Sequence, residues 1–246
     1  MQIDKSPSAI EHALTLAILR GQHPVGTRLP TVRELAELHG VNPTTIQRVV
    51  SRLETRGLVT ARQGSGLRVN DPSECGDISL VPYWLEATLD DPARARGILD
   101  ELLEVRRVLA VRLMLRHREA ILGRSAALHD AAESLVAARA LGTDALRDAD
   151  LRFARELLRA TGNVVALSVF NTVARVLSTL PVVAEAMYAQ PSENAAGMLG
   201  VLRALSGGAA DAGEVIEALL AETDARTLSR FEALLRAHHK EEGVSA

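Results

Sequence analysis

Arg48, Arg52 and Arg56 recur every four residues, so a helix through them carries a row of guanidinium groups along one flank. Thr44, Thr45, Gln47 and Ser51, all short or forked polar side chains, share that helix near its start. The set suits duplex DNA. A guanidinium can pair bidentately with guanine, a glutamine amide with adenine, and a threonine methyl can touch thymine. Free amides at a helix start can also hold a phosphate. Arg33, upstream, offers a further phosphate or base contact. Gly64-Ser65-Gly66, flanked by Arg62 and Arg68, is small enough to enter a minor groove. An arginine row by itself is equally a solvated surface face. The elements around it decide between the two readings.

Those elements read as a helix, a tight turn, a second helix and a ribbon. Thr31 and Glu34 have the spacing of a capping box, which predicts a helix to about His39, ended by Gly40. Asn42 is a second N-cap, with Pro43 at the first helical position of a helix to about Arg56, ended by Gly57. Ile46, Val49, Val50 and Leu53 form its inward stripe. An earlier helix is expected over residues 7–20 from the apolar positions 10, 14, 17 and 18. Residues 58–70 change to short strands around Gln63-Gly-Ser-Gly66, a β-ribbon wing. A recognition helix in this setting meets base edges through its N-terminal end.

Residues 7–70 resemble the winged helix of GntR-family transcriptional repressors. Gly26-Thr-Arg-Leu-Pro-Thr-Val-Arg-Glu-Leu-Ala and Gly40-Val-Asn-Pro-Thr-Thr-Ile-Gln-Arg carry the resemblance. It implies DNA contacts by Arg33, Thr44, Thr45, Gln47 and Arg48, with the wing at Gly64, Ser65 and Gly66.

Charge is distributed to match. The chain has 246 residues and a net charge of −3. Residues 1–71 hold nine Lys and Arg against six Asp and Glu, a net of +3, and the remainder nineteen against twenty-five, a net of −6. The basic part can use a phosphate backbone, and the acidic part belongs away from it. The lone cysteine, Cys75, cannot form an internal disulfide, which fits a reducing compartment. No signal peptide and no membrane span is expected, so the reading is a cytoplasmic protein without a membrane partner.

Residues 72–82 have linker composition. From there to the end only helical patterns follow, at roughly 82–90, 92–118, 119–140, 143–160, 163–180, 182–189, 192–206 and 211–239. The expected fold is mainly α: a winged helix-turn-helix domain over 1–71, a linker, and an all-helical antiparallel bundle over 83–240 that binds an effector and dimerises.

Two stretches, around Glu104-Val-Arg106 and around Asp150-Leu-Arg-Phe153, resemble the FadR-type C-terminal domain of the same family. Many such domains hold a metal through an aspartate and three histidines. Here Asp150 is present, its i+4 position is Ala154, and the other two histidine positions fall near Met198 and Glu222. His117, His129, His238 and His239 lack a matching spacing. No metal and no cofactor is therefore expected. Arg106 becomes the anion anchor, unless it pairs internally with an acid such as Asp150. Asp150, Phe153 and Met198 join it as candidate effector contacts. Val105, Leu109, Leu157, Val169, Phe170, Val173 and Leu177 suit either a cavity wall or plain core. Metal-free domains of this kind include a fatty-acyl-CoA sensor, so the resemblance implies a carboxylate or an acyl-CoA.

No P-loop, nucleophile elbow or His-Glu-x-x-His occurs, which argues against an enzyme. The expected protein is a homodimeric repressor on a palindromic operator in double-stranded DNA, gated by a small-molecule effector. The alternatives are a metal-dependent carboxylate sensor of the same family and a helical adaptor that does not bind DNA.

Overall fold

A computed structural model describes residues 5–62, 66–207 and 210–244. The chain divides into two compact units, Met1–Leu89 and Asp90–Ala246. The first is a winged helix-turn-helix, and the described residues of the second form helices and their connections.

In the first unit, α1 (Pro7–Leu19) starts at Ser6, whose hydroxyl accepts from the Ala9 amide. It buries Ile10, Leu14, Ile18 and Leu19. Helix α2 (Val32–His39) has the full capping box: Thr31 Oγ1 accepts from the Glu34 amide and Glu34 accepts from the Thr31 amide. Gly40 ends it at φ 61°, a left-handed conformation that only glycine adopts without strain. Helix α3 (Pro43–Thr55) begins at Asn42 and Pro43. Ile46, Val49 and Leu53 are wholly buried and Val50 nearly so. Each is worth about 1.5–3 kcal/mol of apolar burial, and truncating one to alanine costs more because a cavity is left.

Strands β1 (Val59–Arg62) and β2 (Gly66–Val69) pair antiparallel, with Val59 opposite Val69 and Arg62 opposite Gly66. The segment before α2 joins them. Arg28 bridges to Arg68, and the Leu29 amide donates to the Leu67 carbonyl at 2.9 Å.

The linker expected over 72–82 is not one. Residues 72–87 form α4 (Pro72–Cys75), a 3-10 turn (Ile78–Leu80) and α5 (Val81–Ala87). Leu80 and Ala87 enter the same core as α1 and α3. Gly57, at φ +75°, explains the close fit: a Cβ there would stand 1.9 Å from the Cys75 carbonyl oxygen. The division of the chain therefore falls after Leu89 rather than at Asp71. The polar run around Asp71 caps α4 instead of connecting domains, through the Asp71 carboxylate that accepts from the Ser73 amide.

The second unit contains α6 (Pro92–Arg116), α7 (Arg118–Leu122), α8 (Ser125–Ala138), α9 (Thr143–Ala160), α10 (Val164–Thr179), α11 (Pro181–Tyr188), α12 (Pro191–Gly207) and α13 (Ala212–Val244). Helix α13 packs along α6, α11 and α12, and α8 lies on α9. The helix expected over 119–140 breaks at Gly123 and Arg124. Phe153, Tyr188 and Phe231 supply the largest buried side chains. No single helix among the described residues is long and apolar enough to cross a membrane.

Candidate nucleic-acid interface and internal cavity

One side of α3 is core and the other is open. Thr44, Gln47, Arg48 and Ser51 are exposed and Thr45 is half-buried. Arg48 makes no ion pair among the described residues, and neither do the exposed Arg28, Arg33, Arg62 and Arg68. These five arginines lie on α2, on α3 and on the ribbon with its bridging segment. Their charges are free to meet phosphate or base edges. Gly66 is exposed at the start of β2; Gly64 and Ser65, the rest of the expected wing tip, fall outside the described residues.

The arginine row is not uniform. Arg52 Nη1 donates to Glu11 Oε2 at 2.9 Å, and Arg56 Nη2 pairs with Glu11 Oε1 at 2.8 Å. Glu11 lies on the buried side of α1, at 5% exposure. A buried carboxylate needs such partners, because leaving it unpaired costs several kcal/mol. The Arg56 guanidinium also stacks over the Tyr83 ring, 4.7 Å from its centre. Arg52, expected as a DNA contact, is thus committed to α1 through one nitrogen. Its side chain keeps 54% exposure, so part of its fork still faces solvent. The expected phosphate cradle at the start of α3 is also corrected. Pro43 has no N–H, the Thr44 amide donates to Asn42 Oδ1, and the Thr45 amide to the Asn42 carbonyl.

Glu34 lies at the start of α2, and its carboxyl is held below the usual range by its hydrogen bonding with Thr31. It is therefore ionised and fixed at the N-terminus of α2, where a negative charge complements the helix dipole.

The helical unit holds an apolar cavity of about 100 Å3 that opens to solvent. Leu109, Leu157, Val169, Phe170, Val173 and Met198 line it, and Arg106 is the charged residue on its wall. Phe153, expected as an effector contact, is wholly buried in the core of α9 and does not line the cavity. It shares the inward stripe of α9 with Leu146, Ala149 and Leu157. Val105 is half-exposed on α6 and Leu177 is buried in the core, so neither is wall. Phe170 supplies the aromatic surface instead.

Arg106 pairs with Asp224, not with Asp150. Its Nη2 donates to Asp224 Oδ1 at 2.5 Å, while Arg107 Nη1 donates to Asp224 Oδ2 at 2.6 Å. Two guanidiniums thus share one buried carboxylate, and Arg106 Nε is buried without a partner among the described residues. A smaller recess joins Arg106 to Asp150, Asn194, Met198 and Thr223. Asp150 Oδ2 accepts from the Tyr188 hydroxyl at 2.8 Å, and its Oδ1 is buried without a partner among the described residues. Burial pushes the Asp150 carboxyl up, against the pull of Tyr188 and Arg106. The same burial raises the Tyr188 hydroxyl well above its ordinary value. This donor set does not fit a divalent metal. One carboxylate faces a guanidinium and a thioether, and hard or borderline ions need several oxygen or nitrogen donors. Glu222, at another of the implied positions, pairs with Arg226. Among the described residues no three His, Cys, Asp or Glu side chains gather.

Comparison with known proteins adds the family context. The family model described as "Bacterial regulatory proteins, gntR family" matches residues 7–69. The chain is 36% identical over 155 residues to an HTH-type transcriptional regulator of Mycobacterium tuberculosis described as uncharacterized, covering 60% of this chain and 58% of that protein. It is 33% identical over 141 residues to the fatty acid metabolism regulator protein of Yersinia pestis, covering 54% and 58%. With the protein of the same description from Edwardsiella ictaluri the identity is 30% over 175 residues, covering 68% and 67%. The match thus spans less than two thirds of the first two relatives. The fold is similar to a solved structure of Lar, described as controlling expression of the Listeria monocytogenes agr system. That TM-score is 0.56 at 16% identity, over 92% of this chain and 98% of the other.

Proposed function

This chain belongs to the GntR family of bacterial regulatory proteins, and from that premise we propose that it is an effector-gated repressor that reads a palindromic operator as a homodimer in the cytoplasm. The observation that carries the DNA-reading half is the split of α3. Ile46, Val49, Val50 and Leu53 fix the helix to the core, while Thr44, Gln47 and the unpaired Arg48 stay exposed on the other side. Gln47 suits adenine and Arg48 guanine, with Thr44 at the end that enters the groove first. Arg28, Arg33, Arg62 and Arg68 supply backbone contacts and the salt dependence that goes with them. The repressor sign supposes an operator that overlaps a promoter, where bound protein would block transcription.

The effector is an aliphatic carboxylate, free or as an acyl thioester. An apolar cavity with the Arg106 guanidinium on its wall supports this class. The shared Asp224 would keep Arg107 if Arg106 turned to a ligand. Two relatives bear the name fatty acid metabolism regulator protein, which favours the same chemistry. Ligand binding then shifts the population between DNA-competent and incompetent states.

Selection of duplexes from a random library by the full chain tests the proposal. The expected product is an inverted repeat whose half-sites are about one helical turn apart, released by a fatty acid or its acyl-CoA. Recovery of no enriched duplex would overturn the reading.

A further inference from the structure

Helix α6 has a second face that the fold does not use. Its inner side buries Leu99, Leu103 and Met114. On the outer side lie Glu101, Glu104, Val105, Val108, Arg112 and Arg116, all exposed. At about 100° per residue these six fall within one strip of the helix surface. Val105 and Val108 keep 52% and 53% exposure in the middle of that strip. The charges that flank the valines are sorted, Glu101 and Glu104 before them and Arg112 and Arg116 after, while Arg94 lies on the same strip a further two turns towards the helix start. None of the four has an ion pair among the described residues. Within the helix, Glu101 and Glu104 stand at i, i+3 and Arg112 and Arg116 at i, i+4. Each is a like-charge pair that weakens an isolated helix. The arrangement makes sense when opposite charge arrives from outside.

We propose that this strip is the homodimer interface, in which α6 packs antiparallel on α6 of a second copy about a two-fold axis near Val108. Glu104 and Arg112 lie four residues before and after Val108, about 6 Å along the helix in either direction. Glu101 and Arg116 lie about 10 and 12 Å away on the same two sides. Antiparallel pairing therefore sets Glu104 against Arg112 of the second copy and Glu101 against Arg116, with the valines packed between. Both sets occur twice, as an isologous interface requires. Parallel pairing would set acid against acid and arginine against arginine, so the strip also specifies direction. The inference rests on the homodimer reading above and adds where the two copies meet.

Sedimentation of the full chain tests it with charge reversals at exposed sites, which leave the fold undisturbed. Glu104→Arg and Arg112→Glu each place two like-charge contacts in the interface and should raise the dimer dissociation constant by about tenfold or more. Mixing the two variants restores opposite charge at both contacts, so a heterodimer of near-native affinity should form. The double variant Glu104→Arg/Arg112→Glu should likewise recover the homodimer, while Val108→Asp should not. A native dimer unmoved by both single reversals would overturn this interface and leave the homodimer reading intact. A native chain that stays monomeric at tens of micromolar overturns both.

Discussion

Replacing Glu11 by glutamine should separate what holds the winged helix together from what reads DNA. Glu11 is nearly wholly buried on α1 and receives Arg52 at 2.9 Å and Arg56 at 2.8 Å. Glu11→Gln keeps the volume but removes the charge and turns an amide towards one guanidinium. A hydrogen bond to a charged group is worth about 1.5–3 kcal/mol when buried. The Arg52 contribution must be discounted, since that side chain is 54% exposed, whereas Arg56 is 24% exposed. The expected net loss is about 2–3 kcal/mol. For a unit of this size that is on the order of 10–20 °C in Tm. Thermal unfolding followed by circular dichroism at neutral pH measures it. Arg48→Ala is the matched control: it removes an arginine of the same row that has no ion pair, so its effect should stay within about 0.5 kcal/mol. Equal losses for the two variants, or none for Glu11→Gln, would refute the assignment of Arg52 and Arg56 to α1.

Gly57→Ala should cost at least about 2 kcal/mol, because left-handed backbone alone costs 1–2 and the new Cβ meets the Cys75 carbonyl. Gly21→Ala, at a similar φ with nothing within 4 Å, should cost only the backbone part, as thermal unfolding of the two will show. Asp150→Asn tests the buried carboxyl. Its folded-state pKa lies above the ordinary 3.8, so the native chain loses stability as pH rises from 3.8 towards the raised value. The Tm of the variant relative to the native chain should therefore climb between acid and neutral pH, and a gap that ignores pH would contradict it. Val169→Trp should fill the cavity and weaken binding of a fluorescent aliphatic carboxylate such as cis-parinaric acid by at least about tenfold, equivalent to 1.4 kcal/mol. Unchanged binding would remove the cavity from the account.

What was legible in the sequence is what local chemistry fixes. Thr31 with Glu34, and Asn42 with Pro43, set both helix starts, and a period of 3.6 put Ile46, Val49, Val50 and Leu53 on one side. What was not legible depends on distant partners. Arg52 and Arg56 read as part of a DNA-facing row because nothing near them in sequence shows Glu11. A signal was present: Glu11 shares the face of Leu14 and Ile18, and an acid on a buried stripe demands a cation. Asp224, on the stripe of Leu220 and Leu228, demands one in the same way, and Arg106 with Arg107 answer it from 118 and 117 residues away. The run from Asp71 to Asp77 has the composition of a linker, but Leu80 and Ala87 behind it belong to the core shared with α1 and draw the segment onto it. Phe153 and Leu157 share the α9 stripe, yet of the two Leu157 alone reaches the cavity wall, a distinction set by the neighbouring helices and not by the stripe.

The most direct test of the account is the salt dependence of operator binding by the native chain and by Arg48→Ala, measured by fluorescence anisotropy on a selected duplex. The account predicts affinity that falls steeply and linearly in log–log form with salt. It also predicts a loss of about 1–3 kcal/mol for Arg48→Ala, with relaxed preference at one base pair per half-site. Binding that ignores salt, or an Arg48→Ala variant with native affinity and native sequence preference, would contradict it.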